Sequence, residues 1–376
     1  MSWRFVGSWL GSSPVADRRP ERRTALREAL LAAHLDAVLL TSLANIRYLT
    51  GFSGSSALVL LTARETLFIT DFRYSTQVRD EVGDFARVAI EPASLWTGLW
   101  QLLPELAGVK IVGFESAHLP HRDFERLLNA GSRWQWRPTY DLVEALRERK
   151  DPQEIERIQE AADVAHRALE RTVAQVRTGM TELAIAGVLE QSLRAEGSEG
   201  FPFETIVASG PRSALPHARA ADREVAAGDF LLIDYGAIVG GYCSDVTRTF
   251  VIGRASDEQR DAYEIVRGAN AHASANVRAG MSGRDADALA RQYIEQRGQG
   301  DAFGHSLGHG IGLEVHEAPR LSKTAEAPLP AQAVVTIEPG IYRAGWGGVR
   351  IEDDVVLDPA GPRILTSFPR DLMEIA

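Results

Sequence analysis

The sequence is poor in cysteine: Cys243 is the one cysteine among 376 residues. An internal disulfide is therefore impossible, and a zinc site built from cysteine thiolates is excluded. Chains without disulfides suit a reducing compartment, so the composition predicts a cytoplasmic protein.

Long hydrophobic runs are also missing. No segment approaches about 18 consecutive apolar residues, the length that predicts a membrane-spanning helix. The apolar stretch at the N-terminus is interrupted early by Arg4. Residues 1–20 are therefore interpreted as a leader, or an ordered arm, and not as a signal peptide.

Positive charge is outweighed by negative charge. The chain has 41 Lys and Arg against 51 Asp and Glu, a formal net charge of −10. An acidic surface repels phosphate backbones and anionic lipid headgroups, so we expect neither a nucleic-acid partner nor a membrane partner. The 45% of hydrophobic and 24% of charged residues are those of a folded globular protein, and the length suits about two or three domains.

Residues 21–150 alternate between strand-like and helix-like patterns. Apolar runs such as DAVLL, SALVLLT and KIVGFE alternate with helical segments such as TALREALLAAHL, which predicts an α/β layer domain. The Gly/Ser-rich residues 48–56 predict a loop, either a plain connection or one that reaches a neighbouring molecule. DPQE at residues 151–154 fits a capping box with proline at the first helical position, so a second domain, residues 151–376, is predicted to begin there.

The second domain repeats itself weakly. RTGMT in its first half recurs as RAGMS in its second half, and the glycine of each copy is followed by another glycine at the same spacing. His217 has a counterpart in His316, and the Asp234 of LLIDYG has one in the Glu338 of VTIEPG. A repeat of this length that occurs twice predicts two related α+β half-domains that face each other, not a solenoid.

Five side chains at the landmarks of this repeat are candidate metal ligands. Asp234 and Asp245 form a closely spaced pair in the first half, and Glu338 and Glu352 form a similar pair in the second. His309 lies in the glycine-rich HSLGHGIG. Each acid alone also fits a turn cap or a solvated surface group. Carboxylates at the ends of buried strands are costly unless paired or coordinated, and their recurrence in both halves favours metal binding.

Four carboxylates and one imidazole offer mainly hard oxygen ligands, which suit Mn, Co or Zn ions. So much negative charge in one place predicts two divalent ions per chain instead of one. Two cations about 3.5–4 Å apart can share a water, lower its pKa and hold both oxygens of a tetrahedral intermediate. The predicted chemistry is therefore hydrolysis.

Three further histidines, His217, His305 and His316, lie beside glycine or proline in the same motifs. A single histidine is more often a structural hydrogen-bonding residue. Three that converge on a metal centre are better interpreted as donors to a substrate carbonyl or to the developing oxyanion. The glycines around His309 are predicted to let the backbone pass close to the metals and the substrate.

The motifs resemble those of the Xaa-Pro peptidases, prolidase and aminopeptidase P, among the pita-bread metallopeptidases. The resemblance rests on SALPHARA, IDYGA, GYCSDVTRTF, GHSLGHGIGLEVHE, TIEPGIY and GGVRIEDD, with NIRYLTGFSGS in the N-terminal domain. It implies an α+β fold in which a creatinase-like α/β domain precedes a pita-bread domain with an internal pseudo-twofold duplication. It also implies a homodimer in which the N-terminal domain helps to wall the active site of the partner.

The resemblance implies a role for each candidate ligand. Asp245 and Glu352 would bridge two divalent ions, with manganese favoured over cobalt or zinc. Asp234 would complete the coordination on one side, and His309 with Glu338 on the other. Glu338 would also be the general base toward the attacking water.

The remaining candidates match positions that face the substrate in such enzymes. His217 and His316 would contact the scissile carbonyl or the nitrogen side of the bond. His305 and Arg350 match supporting positions at the substrate site. Arg320, in HEAPR, matches a prolidase position that binds the C-terminal carboxylate of a dipeptide.

The implied function is hydrolysis of the bond before a proline in second position, with a preference for Xaa-Pro dipeptides. Aminopeptidase P, which acts on longer peptides, is the alternative that the sequence leaves most open. Methionine aminopeptidases share the ligands but usually lack the preceding α/β domain. Creatinase-like hydrolases share both domains but not the metal ligands, and non-catalytic binding modules of this fold have typically lost them.

Overall fold

The computed structural model describes residues 17–376, so most of the predicted leader, residues 1–20, lies outside the described part of the chain. The first helix begins at Arg19, inside the predicted leader. The chain divides between Leu142 and Val143 into two compact units. Within residues 17–376, every helix is too short or too polar to cross a membrane.

Within residues 17–142, six strands form one mixed sheet: β1 (Ala37–Leu40), β2 (Ala57–Thr62), β3 (Thr66–Asp71), β4 (Arg87–Glu91), β5 (Ile111–Glu115) and β6 (Gln135–Thr139). Their order is β4-β3-β2-β1-β5-β6, with β2 antiparallel to both of its neighbours and the other pairs parallel. The helices are α1 (Arg19–Ala32), α2 (Leu43–Thr50), α3 (Gln77–Glu81), α4 (Leu95–Leu102) and α5 (His121–Ala130). The central strands are buried and the edge strands partly exposed, so the predicted α/β layer domain is confirmed.

Helix α2 occupies residues that the sequence assigned in part to a loop. Residues 48–50 form its last turn, and Gly51, at φ 80°, ends it in the left-handed region. Ser42 caps the other end by accepting a hydrogen bond from the N–H of Asn45. The helix is too short for a helical period to stand out, so the prediction of a loop over residues 48–56 was wrong at its start.

The second unit begins at Val143. Its helices are α6 (Glu144–Arg147), α7 (Pro152–Val173), α8 (Glu182–Ala195), α9 (Asp257–Asn276) and α10 (Gly283–Glu295). Its strands are β7 (Ile206–Ser209), β8 (Phe230–Tyr235), β9 (Ile238–Val239), β10 (Tyr242–Cys243), β11 (Val246–Ile252), β12 (Gly308–Gly310), β13 (Glu317–Leu321), β14 (Val334–Ile337), β15 (Gly340–Arg343), β16 (Gly347–Arg350), β17 (Asp353–Asp358), β18 (Gly361–Ile364) and β19 (Glu374–Ile375). The predicted capping box is present at the start of α7, where Asp151 and Glu154 each accept a hydrogen bond from the other's backbone N–H.

The two halves of this unit follow the same plan. Helices α7 and α8 pack with a sheet in the order β19-β11-β8-β7, and α9 and α10 pack with one in the order β13-β12-β14-β17-β18. The repeated RTGMT and RAGMS form the same turn before α8 and α10. Gly179 (φ 86°) donates to the carbonyl of Val225 at 2.9 Å, and Gly280 (φ 87°) to that of Leu329 at 2.8 Å. The predicted duplication is therefore confirmed.

Helix α6 belongs to the second unit because a buried ion cluster ties it to β13. Arg147 and Lys150 are almost inaccessible to solvent, and both bind the carboxylate of Glu317. Arg147 also contacts Glu314 at 2.8 Å. Burial opposes the ionisation of Glu317, but Lys150 and Arg147 outweigh it and hold the pKa of this carboxyl below its usual value. The observed division therefore lies earlier in the chain than the predicted one at residue 150.

Candidate metal centre

The candidate ligands of the first half lie at adjacent ends of two antiparallel strands. Asp234 is near the end of β8, in register with Thr247 of β11, and Asp245 comes immediately before β11. Both carboxylates are buried. The short strands β9 and β10 take up the chain between them, so two acids that are separate in the sequence become neighbours in the fold.

The ligands of the second half come from three neighbouring strands. His309 is the central residue of β12, Glu338 follows β14, and Glu352 precedes β17. Strand β14 lies between the other two in the sheet. Each half thus places one acid at the end of a strand and another just before the antiparallel neighbour.

The candidate ligands converge. Ligand atoms of Asp245, His309 and Glu352 all lie within 4.8 Å of one another. His309 Nε2 is 3.8 Å from Asp245 Oδ2 and 3.5 Å from Glu338 Oε1. Asp234 lines the same cavity as these four side chains.

Two buried oxygens of this cluster have no protein donor. Among the described residues, Oδ1 of Asp234 and Oδ1 of Asp245 are buried without a hydrogen-bond partner. Such oxygens are costly in a protein interior unless something else satisfies them. Divalent cations would do so, and carboxylate oxygens with one imidazole are ligands that these ions accept. The residues present therefore fit a metal centre.

The electrostatics of the acids agree with this fit. Burial, and then the charge of Glu352, raises the pKa of Asp245 well above its usual range. Burial, and then the charge of Glu338, does the same for the pKa of Glu352. Burial also raises the pKa of Glu338 to about 8. The protein alone resists full ionisation of the cluster, and bound cations would offset both the desolvation and the repulsion.

His309 is held in the tautomer that a metal ligand requires. Its Nδ1 lies 3.1 Å from the carbonyl oxygen of Gly310, which can only accept, so Nδ1 carries the proton. The lone pair is then on Nε2, the nitrogen that faces the carboxylates. Burial, and then the proximity of His316, lowers the pKa of His309 to about 4, so the imidazole is neutral near pH 7.

A cavity of about 510 Å³ opens onto this cluster. It is lined by every site residue that the sequence predicts: His217, Asp234, Asp245, His305, His309, His316, Arg320, Glu338, Arg350 and Glu352. Within residues 17–376, the side chains of His217, His316 and Arg320 make no hydrogen bond or ion pair. These three groups are therefore available to a ligand in the cavity.

Comparison with known proteins gives the family. Metallopeptidase family M24 matches residues 156–359, and the creatinase/prolidase N-terminal domain matches residues 22–149. The chain belongs to metallopeptidase family M24. The predicted resemblance is thus confirmed, together with the fold it implied, a creatinase-type N-terminal domain followed by a pita-bread domain.

Relatives of this M24 chain are similar to it over nearly their whole length. A Xaa-Pro dipeptidase of Pyrococcus horikoshii is 35% identical over 341 residues, which cover 90% of this chain and 95% of that protein. The structure of a Xaa-Pro dipeptidase from Bacillus anthracis has a TM-score of 0.91 at 38% identity and covers 95% of this chain and 100% of its own. The structure of an X-Pro aminopeptidase from Thermotoga maritima has a TM-score of 0.87 at 40% identity, with coverages of 94% and 99%.

Arg350 of this M24 metallopeptidase binds the protein's own side chains, although the sequence placed it at the substrate. Its guanidinium donates to Asp234 Oδ2, to Thr247 Oγ1 at 3.0 Å and to the hydroxyl of Tyr342 at 2.9 Å. Thr247 in turn donates to Glu352 Oε2 at 2.6 Å. Arg350 therefore orients candidate ligands from both halves while one side of it lines the cavity.

His305 is also held by the protein. Its Nδ1 lies 2.8 Å from the carbonyl of Ser306 and therefore carries the proton, so its Nε2 accepts from the hydroxyl of Tyr342 at 3.0 Å. Burial, and then the charge of Arg350, lowers the pKa of His305 to about 4. With both nitrogens engaged, His305 differs from the two histidines that have no hydrogen-bond partner among the described residues.

Two threonines that support the candidate ligands were missed by the sequence analysis. Thr247 is two residues after Asp245, and Thr336 is two residues before Glu338, to whose Oε1 it donates at 3.4 Å. Side chains two apart on a strand share one face of the sheet. A threonine two residues away from a predicted ligand is therefore a sequence signal from which both residues could have been predicted.

A helical residue also supports the centre, and the sequence carries no signal for it. The side-chain amide of Asn270, on α9, donates to the carbonyls of Ile337 and Ile351 at 2.9 and 3.3 Å. These residues immediately precede Glu338 and Glu352. Asn270 thus holds together the two chain segments that carry the acids of the second half.

The glycines beside His309 serve the packing of β12. A Cβ at Gly308 would lie 1.9 Å from the carbonyl oxygen of Thr336, and one at Gly310 would lie 2.1 Å from that of Ala318. Neither position tolerates a side chain, because both contacts are with backbone. The glycines thus allow the close strand approach that brings His309 to the acids.

Proposed function

We propose that this metallopeptidase hydrolyses the bond before a proline in second position of short peptides, with Xaa-Pro dipeptides as the preferred substrates. The position of Arg320 carries the proposal, since its guanidinium faces the same cavity as the candidate metal ligands. Only in a dipeptide does the residue after the scissile bond carry a free α-carboxylate. Guanidinium groups bind carboxylates through charge-assisted hydrogen bonds. Relatives named Xaa-Pro dipeptidase and X-Pro aminopeptidase support the proline specificity.

We infer that the five candidate ligands, Asp234, Asp245, His309, Glu338 and Glu352, hold two divalent ions, with manganese preferred to cobalt or zinc. When bound, such ions supply Lewis acidity toward a carbonyl oxygen and lower the pKa of water. The buried carboxylate oxygens without donors and the free Nε2 of His309 support this inference.

The side chains of the cavity would carry the proton transfers and the orientation of the substrate. Glu338 would accept the proton of the attacking water on its carboxylate, as a general base. His217 and His316 would donate to the scissile carbonyl oxygen as it becomes an oxyanion, or to the nitrogen side of the bond. The nitrogen before proline has no hydrogen, so recognition would rest on the free α-amine and the carbonyl. The cytoplasmic location stays a prediction.

A second candidate function is that of aminopeptidase P, which acts on longer peptides. The similarity to the X-Pro aminopeptidase of Thermotoga maritima, at 40% identity, favours it. The two functions differ in what occupies the space beside Arg320: a carboxylate in a dipeptide and a neutral amide in a tripeptide. Turnover of a Xaa-Pro dipeptide and of its tripeptide extension, each with Mn, Co or Zn, therefore separates them.

Arg320→Ala is expected to weaken the binding of Xaa-Pro dipeptides about ten- to a hundredfold. The lost charge-assisted hydrogen bond contributes roughly 1.5–3 kcal/mol in a partly desolvated pocket. The loss should be much smaller for tripeptides, which place an amide there. The measurement is KM and kcat for both substrates in wild type and variant.

Arg219→Ala is the matched control for Arg320→Ala. Arg219 is an exposed arginine of the same cavity and is paired with Glu204 at 3.1 Å. Its removal takes away the same charge but should affect dipeptides and tripeptides alike. Equal losses on both substrates in Arg320→Ala would assign Arg320 a structural role and favour the aminopeptidase.

We also propose a homodimer in which the N-terminal unit of one protomer contributes to the wall of the partner's active site. The family resemblance supports it, and the N-terminal unit carries large exposed apolar side chains, with Phe72 71% and Tyr140 75% exposed. Light scattering at micromolar concentration should give twice the mass of the chain, and specific activity should fall on dilution as the dimer dissociates. A monomer with full activity would contradict this proposal.

A further inference from the structure

One buried carboxylate binds both ends of the segment that carries His217. The segment comprises residues 210–220, between the end of β7 and Ala221. The carboxylate belongs to Glu182, the first residue of α8, whose side chain is 0% exposed. Glu182 is far from the segment in the sequence, so its contacts arise from the fold alone.

Both carboxylate oxygens of Glu182 are used. Oε1 accepts from the backbone N–H and the hydroxyl of Ser209, each at 2.8 Å, just before the segment. Oε2 accepts from the N–H of Ala221 at 3.1 Å, just after it. Oε2 also accepts from Arg212 Nε at 3.0 Å, inside the segment. One side chain therefore fixes the start, the end and an internal point of the segment.

Arg212 extends this connection past His217. Its Nη2 donates to the carbonyl of Arg219 at 2.6 Å. On the other side of His217, the carbonyl of Pro216 accepts from Arg350 at 3.2 Å. The imidazole of His217 has no hydrogen-bond partner of its own among the described residues, so its position depends on the backbone that these arginines hold.

In the second half of this unit, the start of the corresponding helix contacts the substrate-facing segment in a different way. The position that corresponds to Glu182 is Gly283, the first residue of α10. A Cβ at Gly283 would lie 2.1 Å from the carbonyl oxygen of Arg320, in the strand next to His316. The start of the second helix thus packs directly against the segment that faces the substrate in its own half. In the first half, the side chain of Glu182 connects the helix start to the corresponding segment.

We propose that Glu182 is a positioning residue for His217: through Ser209, Arg212 and Ala221 it holds the segment in the conformation that presents this imidazole to the substrate. The inference rests on the proposed function, in which His217 contacts the scissile bond. A glutamine could not replace it, because its amide offers one acceptor oxygen and turns an N–H group toward the donors of Arg212 and Ala221.

Glu182→Gln in the full chain is expected to lower kcat on a Xaa-Pro dipeptide about 10- to 100-fold, the effect of a small misplacement of a catalytic group. Metal content and KM should change little. In a His217→Ala background the same substitution should cause no further loss, because the group that it positions is already absent. Arg212→Gln, at a partly exposed site, should also lower kcat and serves if Glu182→Gln folds poorly.

Glu196→Gln is the matched control. Glu196 follows the other end of α8 and pairs with Arg167 and Arg171 at 2.7 and 2.6 Å. Like Glu182→Gln, this variant removes an arginine-bound carboxylate at one end of α8, but it should leave kcat unchanged. Equal losses from Glu182→Gln with and without His217, or loss of metal, would overturn the inference.

Hydrogen exchange tests the inference without activity. The amides of residues 210–220 should exchange faster in Glu182→Gln, while those of residues 303–310 stay as in the wild type. Unchanged exchange in residues 210–220 would overturn the positioning role even if kcat fell. The wild-type rate on the dipeptide tests the proposed function separately, so failure of that function and failure of this inference give different results.

Discussion

Replacing either candidate bridging acid, in Asp245→Asn or Glu352→Gln, is expected to abolish hydrolysis and to leave the fold intact. Each substitution keeps the size of the side chain but removes a charge that the bound ions require. Metal-assisted stabilisation of the transition state amounts to several kcal/mol, so the loss should be roughly a thousandfold or more. Metal content per chain should fall in both variants.

The fold should survive because the acids repel one another without metal. Asp245 and Glu352 are buried beside further carboxylates, and Asp245 Oδ1 has no protein donor among the described residues. A neutral amide relieves that repulsion, so the metal-free Tm of each variant should equal or exceed that of the metal-free wild type. The rise in Tm on adding Mn, expected for the wild type, should be lost. Either variant with two ions and near-normal turnover would refute the ligand assignment.

Asp353→Asn is the matched control for the acids. Asp353 is adjacent to Glu352 and equally buried, but its oxygens pair with Arg248 at 2.8 Å and Arg370 at 2.7 Å. Replacing it breaks buried ion pairs and should lower the Tm while the metals stay bound. The contrast separates damage to the fold from loss of the metal centre.

His217→Ala and His316→Ala are expected to retain both metals and to lose turnover by roughly 10²–10⁴-fold, the usual range for an acid–base or oxyanion donor. Both side chains line the cavity without a hydrogen-bond partner in the described chain. Burial, and then the charge of Arg320, lowers the pKa of His316. The neutral ring would still donate one N–H to the developing oxyanion.

Metal analysis and steady-state kinetics on the same samples decide the role of these histidines. The ring of His316 packs against that of His309 at a centroid distance of 4.4 Å, so its removal tests whether it also supports a ligand. Loss of metal in either variant would mean that the residue coordinates an ion. His121→Ala, on the exposed surface of α5, should change neither metal content nor turnover.

The sequence revealed what is repeated or local, and it missed what depends on distant contacts. The capping box at Asp151 could be predicted because it is a short local motif. The paired acids could be predicted because the duplication repeats them at a similar spacing in both halves. The partners of Arg350 could not, since Asp234 is 116 residues away in the chain. The same holds for Glu182, whose carboxylate on a helix end looks like an ordinary N-terminal acid until the fold brings Ser209 and Ala221 to it.

The cluster of Arg147, Lys150 and Glu317 determines where this chain can be cut. A catalytic fragment that starts at residue 151, the boundary that the sequence suggests, would lack both cations and leave Glu317 charged and buried. Removing a partner from a buried ion pair costs about 3–5 kcal/mol, a large part of the stability of most domains. The destabilised residue, Glu317, is adjacent to His316 and lies in the same strand as Arg320. A fragment that starts at Val143 would keep the cluster. It is therefore better suited to independent folding than the shorter fragment that starts at residue 151.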